Sequence, residues 1–260
     1  SRSVAPETVE ADFRDLAAAG YREIVLTGVN TGDWGRDLTP RLTLEHLVDL
    51  LLSAAVPARI RLNSLEPLAV TGGIVSRMAG DARLAPHLQV PLQSGSADVL
   101  RAMRRNYSPS QYLARVEALR RAVPHAAIGA DVIVGFPGET EAHFAETMRL
   151  VEDSPLDYLH VFAFSPRPGV PAASLPGRPR PDEVRDRSKR LRDLGERKEK
   201  AFRIRFVGSE LDAVVLGGGR HGDRRPRALT GNFIEVALTG AAPAPRSAVR
   251  IRVASAAGEA

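Results

Sequence analysis

HLQVPLQSGS, residues 87–96, alternates apolar and polar side chains and then breaks into a Gly/Ser loop. Leu88, Val90 and Leu92 fall on one face of such a strand, and His87, Gln89, Pro91 and Gln93 on the other. A strand sandwiched between helices would be apolar on both faces. One apolar and one polar face fit a barrel, or an open partial barrel, with helices outside and a wet or ligand-bearing interior. RIRLNS (59–64) repeats the pattern, Ile60 and Leu62 opposing Arg61 and Asn63. Working outward, REIVLTG (22–28), AIGADVIVG (127–135) and YLHVFAF (158–164) bring the strand candidates to five. Between them, residues 6–20, 43–54, 71–80, 96–105, 108–123 and 140–154 are predicted helices, with Ser108 and Gln111 as a capping box around Pro109. This alternation predicts an α/β fold with a parallel sheet. An eight-unit barrel takes about 250 residues, so five units predict a partial one.

With 43% apolar and 26% charged residues, the 260-residue chain has the balance of a globular protein. It contains no cysteine. That excludes disulfides, thiolate zinc sites, a cysteine nucleophile and a thiolate-held iron–sulfur cluster within this chain. No apolar run approaches the roughly 20 residues that span a bilayer, and SRSVAPETVEADF lacks a signal-peptide core. A cytoplasmic location is expected. The first residue is Ser, so a processed product or a fragment is expected. The net charge of +5 hides an asymmetry: residues 1–177 carry −3, and residues 178–260 carry +8. A basic C-terminal part points to a polyanionic partner.

That part opens with a Pro/Gly/Arg loop (164–181), followed by a charged segment of helical type (182–206) expected to be mainly solvated. Short strands follow in SELDAVVL (209–216), ALTGNFIEVAL (228–238) and AVRIRVA (248–254). They predict a small β-barrel, an architecture that often grips RNA.

Three Gly/polar loops follow successive strands: TGVNTGDWG (27–35), PLQSGS (91–96) and GFPGET (135–140). In the last, backbone N–H groups and the positive end of a helix face the carboxyl end of the strand. Gly135 and Gly138 permit close backbone approach, and Glu139 can accept hydrogen bonds from an amine or a ribose. One such loop is also an ordinary turn; three in series point to a ligand at the carboxyl ends of the strands. GGGRHG (217–222) matches a dinucleotide pattern but lacks a following helix, so it is expected to be a hairpin loop. The six histidines show no metal-binding spacing. Asp131 and Glu66 have no base or nucleophile beside them in sequence, so a hydrolase triad has no support.

In order and spacing, LTGVNTGDWG, RLNSLEP, HLQVPLQSGS with MRRNYS, GADVIVGFPGET and FAFSPRPGVPAA resemble the radical S-adenosylmethionine methylthiotransferase family. The resemblance covers almost the whole chain, because ALTGNFIEVAL is similar to the family's C-terminal TRAM domain, a small RNA-binding β-barrel. GVN followed by Asp33 and Trp34 most resembles the branch that methylthiolates N6-threonylcarbamoyladenosine at position 37 of tRNA. The isopentenyladenosine and ribosomal-protein branches usually carry a GQ loop there.

The resemblance implies a partial (β/α) radical-SAM barrel lacking its first strand over residues 1–203 and an all-β TRAM barrel over 204–255. It implies a transferase that uses S-adenosylmethionine and 4Fe–4S clusters, draws on an electron donor and acts on tRNA. Carried over residue by residue, S-adenosylmethionine contacts are expected at Thr27, Gly28, Asn30, Ser64, Glu66, Gln93, Ser94, Asp131, Gly135 and Glu139. Phe164, Ser165 and Arg167 stand at the mouth of the last strand. tRNA contacts are expected at Arg224, Arg225, Arg227, Asn232 and Phe233. Val170 replaces a common Thr. The family carries its cysteines ahead of an Arg/Ser stretch that matches SRS at residue 1, so the resemblance implies an N-terminal truncation and no turnover by this chain alone. No residue is assigned to catalysis or to a metal. A ribosomal-protein methylthiotransferase, a non-catalytic tRNA-binding fragment and a barrel enzyme acting on a phosphorylated small molecule are the alternatives.

Overall fold

Five strands run parallel: β1 (Glu23–Leu26), β2 (Arg59–Leu62), β3 (His87–Gln89), β4 (Ala127–Val134) and β5 (Tyr158–Ala163). The computed structural model describes residues 2–167, 169–217, 225–240 and 243–256. Strand β1 pairs with β2, and β3, β4 and β5 form a second ladder. Bridges Ile60–Leu84 and Ser64–Gln89 stitch the ladders together, giving a continuous order from β1 to β5. Each strand is followed by helix on the same side: α2 (Leu44–Ser53), α3 (Gly72–Gly80), α4 (Ala97–Ala102), α5 (Pro109–Ala122) and α6 (Glu141–Asp153), with α1 (Pro6–Ala18) ahead of β1. Ser108 and Gln111 cap α5 reciprocally, as their spacing predicts.

The outer face carries the core. Ile60, Leu62, Leu88, Ile128, Ala130, Val132 and Val134 lie at 0–1% exposure against Leu51, Ile74, Tyr112, Val116 and Phe144 of the helices. Each fully buried Leu or Val side chain contributes about 1.5–3 kcal/mol. The one polar atom that Tyr112 brings inside is satisfied, its hydroxyl donating to the Val90 carbonyl at 2.9 Å.

Helix α7 (Pro181–Ile204) differs from the solvated rod expected of its charge pattern. Leu191 and Leu194 are buried in the same core, and Gly195 lets the helix lie close against Leu159 of β5. Helix α7 is therefore part of the wall. Its polar residues mask that role, because a helix 24 residues long needs only one apolar stripe to dock.

The tail forms a four-stranded antiparallel sheet in the order β8, β7, β6, β9, with β6 at Glu210–Val215, β7 at Arg227–Thr230, β8 at Glu235–Ala237 and β9 at Ala248–Arg252. Strands β8 and β9 are its two edges among the described residues. Phe202, Phe206 and Ile234 pack on Ala127 in a second, smaller core that joins sheet, α7 and β4. The turn between β7 and β8 is pressed against the amino ends of the parallel strands. Arg61, only 2% exposed, donates to the carbonyls of Gly231 and Thr230 at 3.1 Å each and to Glu23 at 2.7 and 2.8 Å. Arg59 shares Glu23 and reaches the Leu229 carbonyl. Phe233 stacks on His87 at 4.0 Å, with the Arg61 guanidinium 5.1 Å over its ring.

Candidate functional site

Opposite the tail, the carboxyl ends of the strands open onto the three Gly/polar loops. The inner face below them is polar, because period-two alternation puts Asn63, Gln89, Asp131 and His160 there while their neighbours fill the core. Gln89 Nε2 donates to Asp131 Oδ1 at 2.6 Å, and His160 Nδ1 lies 3.2 Å from the same oxygen. The hydrogen bond from His160 to Asp131 raises the imidazole above its ordinary value, with partial burial opposing it. Deeper in, His87 is held well below the usual range by burial, and its Nε2 lies 2.7 Å from the Tyr158 hydroxyl. Gly129 makes room for this set: a Cβ there would stand 2.1 Å from Gln89 Oε1 and 2.2 Å from the Tyr158 ring.

The Asp131–His160 pair carries a pH prediction. A raised histidine contributes its stability fully below the ordinary imidazole value and loses it as pH climbs through the raised value. The His160 ring protons titrate with a midpoint above that of an ordinary imidazole, and Asp131→Asn lowers that midpoint. A midpoint that Asp131→Asn leaves unmoved would contradict the pairing.

The residues expected to hold S-adenosylmethionine divide into two groups. Thr27, Gly28 and Asn30 are exposed at the mouth, and Ser64, Glu66 and Asp131 are half-buried there. Thr27 Oγ1 accepts from Asn63, Asn30 donates to Asp33 at 2.5 Å, and Glu66 pairs with Arg105 at 3.3 Å. Gln93 has a left-handed backbone at φ 64°, a strain of about 1 kcal/mol for a residue with a Cβ. That conformation lets its amide reach the Asp131 carbonyl and its carbonyl receive the Ile133 amide.

The second group faces inward. Ser94, 1% exposed, receives the Ser96 amide and touches Thr147 of α6. Glu139 accepts from the Gly135 amide at 2.7 Å and pairs with Arg187 of α7 at 3.1 Å, its side chain 1% exposed; burial outweighs these contacts and raises its pKa. Gly135 turns at φ 81° and seats Val184 of α7. These three residues shape the mouth from behind; Glu139 does not offer the free acceptor that its motif promised. At the last strand's mouth, Phe164 is half-buried while Ser165 and Arg167 are exposed.

The expected RNA residues also divide. Arg224, like most of GGGRHG, lies outside the described residues. Arg225 is exposed, and Arg227 pairs with Glu235. Together with Arg203 and Arg252 they line a cavity of about 470 Å³ on the tail sheet. Asn232 is 3% exposed and accepts the Thr230 hydroxyl within its own turn, whereas Phe233 stacks one face on His87 of the barrel and remains 40% exposed. Arg61, His87, Tyr158 and His160 were not among the expected site residues. The polar phase of β2 and β3 flagged the first two, and nothing local marked Tyr158 or His160.

Two buried acceptors favour a polar ligand in the mouth. Among the described residues Thr31 Oγ1 has no partner, and a Cβ on Gly28 would stand 3.6 Å from it; Gln89 Oε1, on the inner face, has none among them either. Buried polar atoms are normally satisfied, so a hydroxyl- and amine-bearing molecule such as S-adenosylmethionine fits. A 4Fe–4S cluster does not fit this chain, which offers it no thiolate.

Residues 1–151 match the Radical SAM superfamily profile, more than half of the chain. This chain belongs to the radical SAM superfamily. Among its relatives, a Thermobifida fusca protein named tRNA-2-methylthio-N(6)-dimethylallyladenosine synthase is 38% identical over 87% of this chain and 46% of its own length. A Thermotoga maritima protein named threonylcarbamoyladenosine tRNA methylthiotransferase MtaB is 37% identical over 82% of this chain and 49% of its own. This radical SAM chain thus spans about half the length of the relatives it matches, and two substrate names stand at nearly equal identity. Escherichia coli coproporphyrinogen III oxidase, a radical SAM enzyme, superposes with TM-score 0.58 over 86% of this chain and 57% of its own at 17% identity, a likeness of fold alone. Among the described residues no helix is long and apolar enough to cross a membrane.

Proposed function

We propose that this chain is the S-adenosylmethionine-binding and tRNA-holding part of a tRNA methylthiotransferase acting on N6-threonylcarbamoyladenosine, with the cluster thiolates supplied from outside these 260 residues. The observation that carries this reading is a polar inner face, Gln89–Asp131–His160, under loops at the carboxyl ends of parallel strands in a radical SAM fold. Relatives named for methylthiolation of tRNA bases supply the reaction class. When bound, S-adenosylmethionine supplies the methyl group and the hydrogen-abstraction chemistry. Thr27, Asn30, Ser64 and Asp131 would hold its polar groups, and Gln93, through its strained backbone, would fix the distance between the PLQSGS and GFPGET loops. His160 would hold a proton beside Asp131.

The tail, from about residue 204 to 255, supports tRNA as partner and a TRAM-like role through its basic balance and the arginine-lined cavity at Arg225, Arg227 and Arg252. The absence of cysteine favours one other reading, a non-catalytic tRNA-binding protein.

Gel shifts of the purified chain with tRNA test the partner. The chain retards tRNA in preference to an unrelated RNA hairpin, and the affinity falls steeply with salt. Added S-adenosylmethionine protects the chain against thermal unfolding, as a ligand of the folded state must. Equal binding to both RNAs removes tRNA as substrate and favours the ribosomal-protein branch. Salt-sensitive tRNA binding without thermal protection leaves the non-catalytic reading.

A further inference from the structure

We propose that Arg41 and Arg104 form a carboxylate-reading site that selects an adenine carrying a threonylcarbamoyl group over one carrying a dimethylallyl group. The inference rests on the tRNA reading above and adds how one modified base is chosen.

A cavity of about 640 Å³ opens beside the β1 loop, and Asn30 and Glu66 of the mouth help to line it. Four arginines face it: Arg36, Arg41, Arg104 and Arg105. Arg36 is committed to Asp33 at 2.5 Å and Arg105 to Glu66 at 3.3 Å. The third carboxylate of the lining, Glu45, accepts the Thr71 hydroxyl at 2.5 Å. Arg41 and Arg104 have no side-chain partner among the described residues, so two guanidiniums are left to a ligand.

Arg104 is there against backbone preference. Helix α4 ends with the Arg105 amide on the Leu100 carbonyl and the Arg104 amide on the Arg101 carbonyl, which puts Arg104 at φ 57°. This is the helix-terminating position that favours glycine. An arginine at this position weakens the fold locally, and what it adds is a guanidinium in the cavity.

The names of the two relatives define the choice of ligand, since they differ in the group on adenine N6. Dimethylallyl is an uncharged hydrocarbon. Threonylcarbamoyl ends in a carboxylate beside a hydroxyl. Guanidinium and carboxylate form paired, charge-assisted hydrogen bonds, whereas a hydrocarbon in the same cavity desolvates the arginines with no return. Attraction for one base and a penalty for the other act together.

Three anticodon stem-loop RNAs, identical except for an unmodified, an N6-dimethylallyl or an N6-threonylcarbamoyl adenine, test the site by fluorescence anisotropy against the 260-residue chain at one salt concentration. The threonylcarbamoyl RNA binds about tenfold tighter than the other two, the size of one charge-assisted contact. Arg41→Ala with Arg104→Asn, which keeps a residue tolerant of the left-handed backbone, brings the three affinities together at the level of the unmodified RNA. Arg104→Gly alone lowers the preference while raising Tm by about 2 °C, the opposite of what a purely structural arginine would do. A threonylcarbamoyl RNA held no tighter than the unmodified one overturns the proposal and leaves the tRNA reading standing. So does an equal loss for all three RNAs in the double variant, which would make the arginines a site for backbone phosphates. A wild-type chain that binds none of the RNAs overturns the tRNA reading and this site with it.

Discussion

Anaerobic reconstitution of this chain with iron and sulfide yields no visible iron–sulfur absorbance, and after desalting it retains far less iron than the four atoms of one cluster. The reason is the donor set. Iron–sulfur clusters are held by thiolates, and the chain has no cysteine. Its mouth offers Asp131 and His160, which already engage each other. Methylthiolation by the chain alone is accordingly absent, a loss of the whole rate and not a fraction of it. Bound iron in cluster stoichiometry, with the spectrum to match, would end this account and require ligands of another kind.

Arg61→Ala lowers Tm by about 6 to 20 °C, and the tail sheet gains hydrogen exchange before the helices around Leu51 and Ile74 do. Arg61 is 2% exposed and donates four hydrogen bonds, two to Glu23 and two to tail carbonyls. Removing it takes one of two guanidinium partners from a Glu23 carboxylate that is itself 10% exposed and leaves the two tail carbonyls without their donor. Breaking a buried pair of this kind costs about 3–5 kcal/mol, and each kcal/mol moves Tm by about 2–4 °C in a chain of this size. Arg59 remains on Glu23 and limits the loss. A change under 2 °C would mean that the tail is not fastened through this residue.

The five strands and their two-faced character were legible because each signal lies within a few residues: Leu88 and Val90 inward of the helices, Gln89 opposite them. Helix boundaries around Ser108 were legible for the same reason. What was not legible depends on partners far along the chain. Glu139 looked like a free acceptor because Arg187, which occupies it, arrives 48 residues later on a helix whose own sequence reads as solvated. The docking of the turn at Gly231 and Phe233 was not legible because the barrel residues it meets lie far back in the chain, Arg61 170 residues before Gly231 and His87 146 residues before Phe233. Local composition reports exposure only when nothing distant covers the residue.

The docking of the tail turn has a consequence for how the molecule is made. Strand β2 cannot satisfy Arg59 and Arg61 with their tail carbonyls until Leu229, Thr230 and Gly231 have left the ribosome. During synthesis Glu23 is their one acid partner across the sheet, and the ring face of His87 that Phe233 will cover stays wet. Non-local contacts of this kind form late and slowly. Chains stopped short of residue 229 are therefore expected to present an uncapped barrel end to chaperones and proteases, which makes the last strands a checkpoint on completion.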